Sequence, residues 1–281
     1  MPAIKLYQHG FKAGCAPGKT MGKLSAKRDV VNGWSAAAAR RNTDFLKSIA
    51  LRGLDGFGVT FTLTLKRCPE SSEEWHRMRR AVLERYRRLG FTRLHWVTEW
   101  QRRGVPHLHG MAYFPEALRP EADEIRRKLV IGWCMVAAAY SPAPHCQHTA
   151  LVNNAVGWMQ YLGKHAARGC YHYQRSKENI PAAWRKTGRV WGHLGDWPTE
   201  APMAIELTME GYHAFRRLVR SYRVSKARSD GHPRRIRAAR RMLQDSDPAR
   251  SRMRGVSDWC PMDLQLLMVM SLAAQGYSVE H

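Results

Sequence analysis

The sequence predicts an α+β fold, an antiparallel sheet flanked by helices, from three observations. Residues 59–65 alternate apolar and Thr side chains, which is typical of a half-buried strand. Ser71 or Ser72 begins a basic amphipathic helix that Gly90 ends. Residues 93–101 and 105–114 read as two strands of a β-hairpin around a loop that contains Gly104. With a helix after the hairpin, this order is that of a ferredoxin-like, split βαβ core.

The other elements follow from capping residues and helix breakers. Ser35 caps a predicted helix over residues 36–49, and Pro120 begins one that ends near residue 140. Further predicted elements are helices over about 153–167, 208–225 and 262–274, and short strands at 170–174 and 189–192. Three segments result: a basic flexible arm over 1–33, a folded domain over 34–225, and a basic segment with a short C-terminal helix over 226–281.

The charge indicates an anionic partner. The 281 residues include 46 Lys and Arg against 23 Asp and Glu, a formal net charge of +23. An excess spread through the whole chain opposes the compact state, so nucleic acid is the expected partner. The sequence has no stretch of about 20 apolar residues and no secretory signal, which predicts no membrane span and a cytoplasmic setting. Six widely separated cysteines predict free thiols.

The hairpin carries the first candidate site. His107 and His109 alternate along one strand, so both imidazoles project from the same face. If residues 102–104 form the loop, Gln101 pairs with Val105. Counting residue pairs from there along both strands places Glu99 directly opposite His107 on that face. Two imidazoles and one carboxylate are suited to Mg²⁺, Mn²⁺ or another divalent ion. The alternative is that both histidines are polar surface residues of an edge hairpin.

Tyr161 and Lys164 form the second candidate site. They are three residues apart in a predicted helix and therefore lie on one face of it. The phenol and the ammonium can then contact the same phosphate. A phenol with a pKa of about 10 is a weak nucleophile and needs activation. Taken alone, Tyr161 reads as a packing residue.

These motifs together resemble a known family. The ordered set comprises the strand that holds Thr62 and Thr64, the His107-Leu108-His109 strand preceded by Glu99, and the Tyr161-x-x-Lys164 helix. It is similar to the three motifs of HUH endonucleases and, within them, to rolling-circle replication initiators of filamentous phages and small plasmids. The resemblance covers residues 35–225.

The resemblance implies a nicking and joining domain over residues 34–225. Tyr161 would attack a phosphate of single-stranded DNA at a replication origin hairpin and keep the 5′ end as a phosphotyrosine. Lys164 would assist, and Glu99, His107 and His109 would hold Mg²⁺ or Mn²⁺. The implied setting is the cytoplasm of a bacterial host, with a separate host helicase and polymerase. A single tyrosine on the helix leaves a second cleavage to another subunit of a dimer, or to Tyr171 or Tyr173.

Basic and hydroxyl side chains are the expected DNA contacts. They are Thr62, Thr64, Arg102, Arg103, Arg216, Arg217 and Arg220. The alternative for the two threonines is that they are simple outward-facing strand residues. The alternative for Arg216, Arg217 and Arg220 is that they form a solvated helix face.

Three other hypotheses stay open. Within the class, the chain could be a single-tyrosine transposase or relaxase, because the chemistry is shared. Outside it, the chain could be a noncatalytic DNA-binding regulator whose His and Tyr residues are structural. His145, Cys146 and His148 have the side chains of a zinc site, but their spacing fits no standard finger.

Overall fold

The computed structural model describes residues 1–15, 31–163, 172–243 and 255–280. They divide into two units: a central unit, Ala26–Thr199, and a terminal unit made of Met1–Ser25 and Glu200–His281. Each unit has its own five-stranded antiparallel sheet. The mixture of helices and antiparallel strands confirms the predicted α+β class.

In chain order the described strands are β1 (Pro2–Tyr7), β2 (Gly10–Cys15), β3 (Phe57–Leu63), β4 (Arg93–Trp100), β5 (Pro106–Phe114), β6 (His148–Leu151), β7 (Trp191–Gly195), β8 (Met203–Leu207), β9 (Val256–Trp259) and β10 (Val279–Glu280). The described helices are α1 (Ala36–Ser48), α2 (Ser72–Arg87), α3 (Ala122–Val136), α4 (Ala155–Gly163), α5 (Met209–Ser229), α6 (Pro233–Arg240) and α7 (Met262–Ala274).

The central sheet has the strand order β6-β3-β5-β4-β7. The predicted alternation of β3 is present, with Phe61 and Leu63 fully buried. Thr60, on the other face, is also buried, and its hydroxyl donates to the Ala150 carbonyl at 3.1 Å. A Thr that pairs its hydroxyl in this way can be buried at little cost. The strand is therefore an interior strand and not the half-exposed one that the alternation predicted.

Three predicted caps define helix starts. Ser35 accepts a hydrogen bond from the Ala38 amide at 3.0 Å, Ser71 from Glu74 at 3.3 Å, and Thr208 from Gly211 at 3.1 Å. Each side chain satisfies an amide that the first helical turn leaves without a partner. The starts of α1, α2 and α5 are thus confirmed.

The helix predicted from Pro120 to about residue 140 begins and ends differently. A 3-10 turn, Glu116–Glu121, includes Pro120, and α3 starts at Ala122. It ends at Val136, and a separate 3-10 turn covers Ala138–Tyr140. Both ends of the predicted helix are therefore 3-10 turns and not α-helix.

The prediction of a flexible arm over residues 1–33 is wrong for residues 2–15. They form β1 and β2, which pair with each other and with β8 and β9 in the order β10-β8-β1-β2-β9. Ile4 and Phe11 are fully buried in one core with Phe215 of α5. These apolar side chains alternate along the two strands, and burial of their face holds the segment in the sheet.

Three other predictions also differ from the structure. The boundary at residue 226 falls inside α5, which continues to Ser229. The strand expected over 170–174 is wrong for its described part, because Tyr173–Arg175 is a 3-10 turn. The strand expected over 189–192 appears as β7, two residues further on.

The C-terminal helix α7 has the predicted bounds and an exposed apolar side. Leu267 is 56% exposed and Met270 64%, whereas Leu272 is buried in the terminal core. Its 13 residues are fewer than a bilayer requires. Among the helices of the described ranges, none is both long and apolar enough to cross a membrane.

Candidate active site

The hairpin of β4 and β5 has the register that the loop predicted. Gln101 donates its amide hydrogen to the Val105 carbonyl at 2.9 Å, and Gly104 turns the loop with a φ of +77°. Such a φ suits glycine, because it lacks a Cβ. Glu99 therefore pairs with His107, and the next pair on this face is Val97 with His109.

The carboxylate of Glu99 is fully buried between a histidine and an arginine. Its Oε2 lies 3.6 Å from Nε2 of His109, and its Oε1 accepts a hydrogen bond from Nε of Arg175 at 2.8 Å. A buried carboxylate is stable only when it is paired. The guanidinium of Arg175 supplies the compensating charge.

A hydroxyl group orients His109. Oγ1 of Thr62, paired with His109 across β3 and β5, lies 3.0 Å from Nδ1 of the ring. This contact at Nδ1 orients the ring so that Nε2 faces Glu99. Metal-binding histidines are commonly oriented in the same way, by a hydrogen bond at the ring nitrogen that does not bind the metal. Thr62 is thus placed as a support of His109, and its predicted DNA contact stays a prediction.

His107 lies at the mouth of the site. Its ring is parallel to that of His109, with centroids 5.6 Å apart, and it is half-buried. It lines a cleft of about 450 Å³ together with Gln101, Arg102, Arg103, Tyr173 and Gln174. His107 therefore connects the buried carboxylate side of the site with the surface.

The predicted metal ligands are partly assembled. Two adjacent ligands of one octahedral ion at about 2.1 Å lie roughly 3 Å apart, and the 3.6 Å between Glu99 and His109 is slightly longer than that spacing. His107 is on the same face but does not complete the set, and no three His, Cys, Asp or Glu side chains within the described ranges form a metal-binding group. The mixed imidazole and carboxylate donors fit a divalent ion, and the choice of Mg²⁺ or Mn²⁺ stays a prediction.

Tyr161 of α4 reaches this face of the hairpin. Its ring meets that of His109 edge-on at 5.8 Å and stacks on Trp158 at 4.7 Å, while 40% of the residue is exposed. Burial, together with the charge of Glu99 and with Tyr173, raises the pKa of Tyr161 to about 12. The phenol is therefore protonated at neutral pH and needs activation to act as a nucleophile.

Asn154 places the start of the Tyr161 helix. Its side-chain oxygen accepts from the Gly157 amide at 2.8 Å, the bond that an N-cap makes. Lys164, Tyr171 and the predicted continuation of the helix lie outside the described residues. The contact between Tyr161 and Lys164 that the spacing predicts stays a prediction.

Sequence reasoning missed Arg175. Its buried guanidinium donates to Glu99 and, through Nη2, to the Leu162 carbonyl at 2.9 Å, and it lies 3.8 Å above the Trp34 ring. One side chain thus links the carboxylate of the site to the residue that follows Tyr161. No motif marks Arg175, because its partners are distant in sequence and it is one of 46 Lys and Arg residues.

A buried amide extends this network. Asn42 of α1 donates to the same Leu162 carbonyl at 3.2 Å, and its Oδ1 accepts from Nε2 of His95 at 2.8 Å. Burial, followed by the charges of His193 and Arg175, lowers the pKa of His95 to about 3. His95 therefore acts as a neutral donor that fixes Asn42.

This depressed pKa predicts a pH dependence of stability. Unfolded His95, with a pKa of about 6.5, takes up a proton that the folded ring does not, so stability falls as pH falls from about 6.5 toward 3, by up to about 1.4 kcal/mol per pH unit. A His95→Gln variant keeps a donor for Asn42 but does not titrate. In denaturation series from pH 7 to 4 it should lose less stability than the wild type, whereas exposed His145→Gln should keep the wild-type slope. Equal slopes for His95→Gln and the wild type would contradict the assignment.

The hairpin loop places Arg102 and Arg103 differently. Arg102 lines the cleft with its guanidinium 5.1 Å from the Tyr173 ring centroid. Arg103 donates to the Gln101 side chain and to the carbonyls of residues 65 and 66, so it braces the loop. Thr64 accepts from Nε2 of Gln101 at 3.2 Å. Each of the three has a structural contact, and DNA binding by them stays a prediction.

The other predicted DNA contacts lie on α5 in the terminal unit. Arg216 is buried, at 8% exposure, whereas Arg217 is exposed and lies 3.5 Å from the Tyr277 hydroxyl. Arg220 donates to the Arg240 carbonyl at 3.0 Å. Of the three, Arg217 is the most exposed, and DNA binding by all three stays a prediction.

Comparison with known proteins gives the family. Residues 58–166, which include Glu99, His107, His109 and Tyr161, match the model of the replication-associated protein ORF2/G2P family. The replication-associated protein G2P of Pseudomonas phage Pf3 is 41% identical over 284 residues, 99% of each chain. A protein of Xylella fastidiosa strain 9a5c, named "Putative replication protein", is 46% identical over 286 residues, again 99% of each chain.

Another "Putative replication protein", from Xylella fastidiosa strain Temecula1, is 46% identical over 266 residues, 92% of this chain and 99% of its own. No solved structure matches the chain. Because these relatives extend over nearly all of its length, the chain belongs to the replication-associated protein ORF2/G2P family, and the resemblance to rolling-circle replication proteins is confirmed.

Proposed function

We propose that the chain initiates rolling-circle replication of a phage or plasmid by nicking single-stranded DNA with Tyr161 as the nucleophile. One observation supports this most directly: the Tyr161 ring lies against His109 on the face that holds Glu99. That face lies within the segment that matches the family model. A nucleophile beside a candidate ligand set is the arrangement that phosphoryl transfer needs.

The transfer breaks one phosphate ester bond and forms another, so the number of ester bonds is conserved. The Tyr161 phenolic oxygen attacks phosphorus, a phosphotyrosine bond forms at the 5′ end, and the bond from phosphorus to the 3′ oxygen breaks. The phenol loses a proton and the released 3′ oxygen gains one. Rejoining is the reverse transfer, so the energy of the broken bond is retained in the adduct.

The neighbouring side chains have distinct proposed roles. Glu99 and His109, with His107 at the mouth, would hold Mg²⁺ or Mn²⁺, and that ion would polarise the scissile phosphate. Thr62 keeps His109 oriented, and Arg175 keeps Glu99 and the end of α4 in place. Lys164 would add positive charge next to the phosphate.

The DNA partner would be single-stranded, at an origin hairpin. A nucleophile fixed on a helix needs a backbone that can bend into line, and a stacked duplex resists that bending. The released 3′-OH would serve a host polymerase, with a separate host helicase opening the strands. A dimer would supply the second tyrosine for termination.

Covalent capture tests the proposal. The protein is incubated with Mn²⁺ and overlapping single-stranded oligonucleotides from the replicon that encodes it, and the products are separated in denaturing gels. We expect one oligonucleotide to give a protein–DNA adduct that mass spectrometry maps to Tyr161. Binding of the oligonucleotides without any adduct would favour a noncatalytic DNA-binding regulator.

A histidine variant separates binding from chemistry. His107→Ala should bind the reactive oligonucleotide with nearly wild-type affinity and lose at least about a hundredfold in adduct formation, because the proposed ligand set loses one imidazole. Adduct yield and fluorescence anisotropy measure the two effects. Parallel loss of affinity and adduct would instead assign His107 a role in folding or in DNA contact.

A further inference from the structure

The cleft beside His107 has the size and the lining of a binding site. Its volume is about 450 Å³, and Arg102 and Tyr173 contribute a cation and an aromatic ring. His107, on the face that carries Glu99, forms another part of the wall. A ligand in this cleft would be adjacent to the candidate active site.

Tyr173 offers an exposed ring in this cleft. The residue is 47% exposed, although its neighbour His172 is buried and packs against it with ring centroids 4.7 Å apart. The Arg102 guanidinium is 5.1 Å from the ring centroid. Because the exposed Arg102 guanidinium lies over this ring, a nucleobase that stacks there takes the place of the cation, which then pairs with the phosphate of the nucleotide.

The backbone that carries the ring is held in place by its own turn. Tyr173–Arg175 is a 3-10 turn, and Arg175 at its end is fixed by the buried ion pair with Glu99. Asn179 donates its side-chain amide to the Tyr173 carbonyl. A preorganised aromatic ring loses little conformational freedom when a base stacks on it. The position of Tyr173 is therefore set by the site itself.

We propose that this cleft is a nucleobase subsite for single-stranded DNA, in which a base stacks on Tyr173 and its phosphate lies at Arg102. The inference rests on the proposed function for its substrate class and adds the position of a nucleotide adjacent to the cleaved phosphate. A base in a duplex has both faces covered, so the subsite selects an unpaired base. The hydroxyl of Tyr173 has no part in this role.

Paired substitutions test the subsite. The probe is a fluorescein-labelled dT 20-mer with one central 2-aminopurine, bound in EDTA so that cleavage does not interfere. Tyr173→Ala should weaken binding about tenfold and reduce the 2-aminopurine quenching that stacking causes. Tyr173→Phe keeps the ring and should bind within about twofold of the wild type. Arg102→Ala should reduce the salt dependence by about one phosphate contact, whereas exposed Arg87→Ala on α2 should not.

The outcomes separate this subsite from the proposed nicking activity. Wild-type affinity and quenching in Tyr173→Ala would overturn the subsite, whatever the Tyr161 adduct assay gives. Equal losses in Tyr173→Phe and Tyr173→Ala would assign the effect to the hydroxyl, and would also overturn it. A protein that binds the probe through Tyr173 but forms no adduct would retain the subsite and lose the nicking function.

Discussion

A Tyr161→Phe variant is expected to form no detectable adduct with single-stranded DNA, a loss of at least about a thousandfold. The substitution removes the only atom that could become bonded to phosphorus at this residue, and losing the nucleophile of a covalent mechanism costs orders of magnitude in rate. The Phe ring can keep the stacking on Trp158 and the edge contact with His109. We therefore expect DNA affinity to stay close to that of the wild type.

The measurement uses the covalent capture assay together with anisotropy. Tyr277→Phe, in the terminal unit, is the matched control and should form the adduct at the wild-type rate. An adduct that persists in Tyr161→Phe would place the nucleophile elsewhere, and mass spectrometry would show whether Tyr171 or Tyr173 carries the DNA.

An Arg175→Met variant is expected to destabilise the central unit by roughly 3–5 kcal/mol. The thioether fills similar volume but leaves the Glu99 carboxylate buried without its guanidinium. The Leu162 carbonyl also loses the guanidinium donor and keeps the Asn42 amide. Chemical denaturation followed by tryptophan fluorescence measures the change.

The double variant Glu99→Gln/Arg175→Met identifies the cause. Removing the charge of both partners should recover a substantial part of the lost stability, because the cost comes from an uncompensated buried ion. Lys186→Met, which removes an exposed ion pair with Glu73 in the same unit, should change the midpoint little. If the losses of the two single variants simply add in the double variant, the ion pair contributes no coupling and the explanation fails.

Local patterns predicted the parts of the fold that local chemistry determines. Ser35, Ser71 and Thr208 begin helices through bonds to amides three residues ahead, so the sequence near each cap is sufficient. The hairpin is similar, since a three-residue loop with Gly104 fixes which residues of β4 and β5 face each other. The opposition of Glu99 and His107 was predictable for that reason.

Pairing between distant segments was not predictable in this way. β1 is a short strand that no turn motif marks. Its neighbour in the sheet, β8, lies roughly 200 residues further along the chain. Arg175 is the equivalent case in the site, because its partner Glu99 is 76 residues earlier. The family resemblance, and not the residue pattern, predicted that Tyr161 lies near the hairpin. In the structure its ring lies beside that of His109.

The pairing of β1 with β8 has a consequence for the order of folding. Ala3 lies opposite Glu206, so the terminal sheet closes a loop that contains the whole central unit. Closing a long unfolded loop is entropically slow, whereas the hairpin and its neighbouring helices form from nearby residues. We expect the central unit to fold first and the two segments of the terminal unit to pair last. Pulse-labelling hydrogen exchange would show this order as late protection of the amides of β1 and β8.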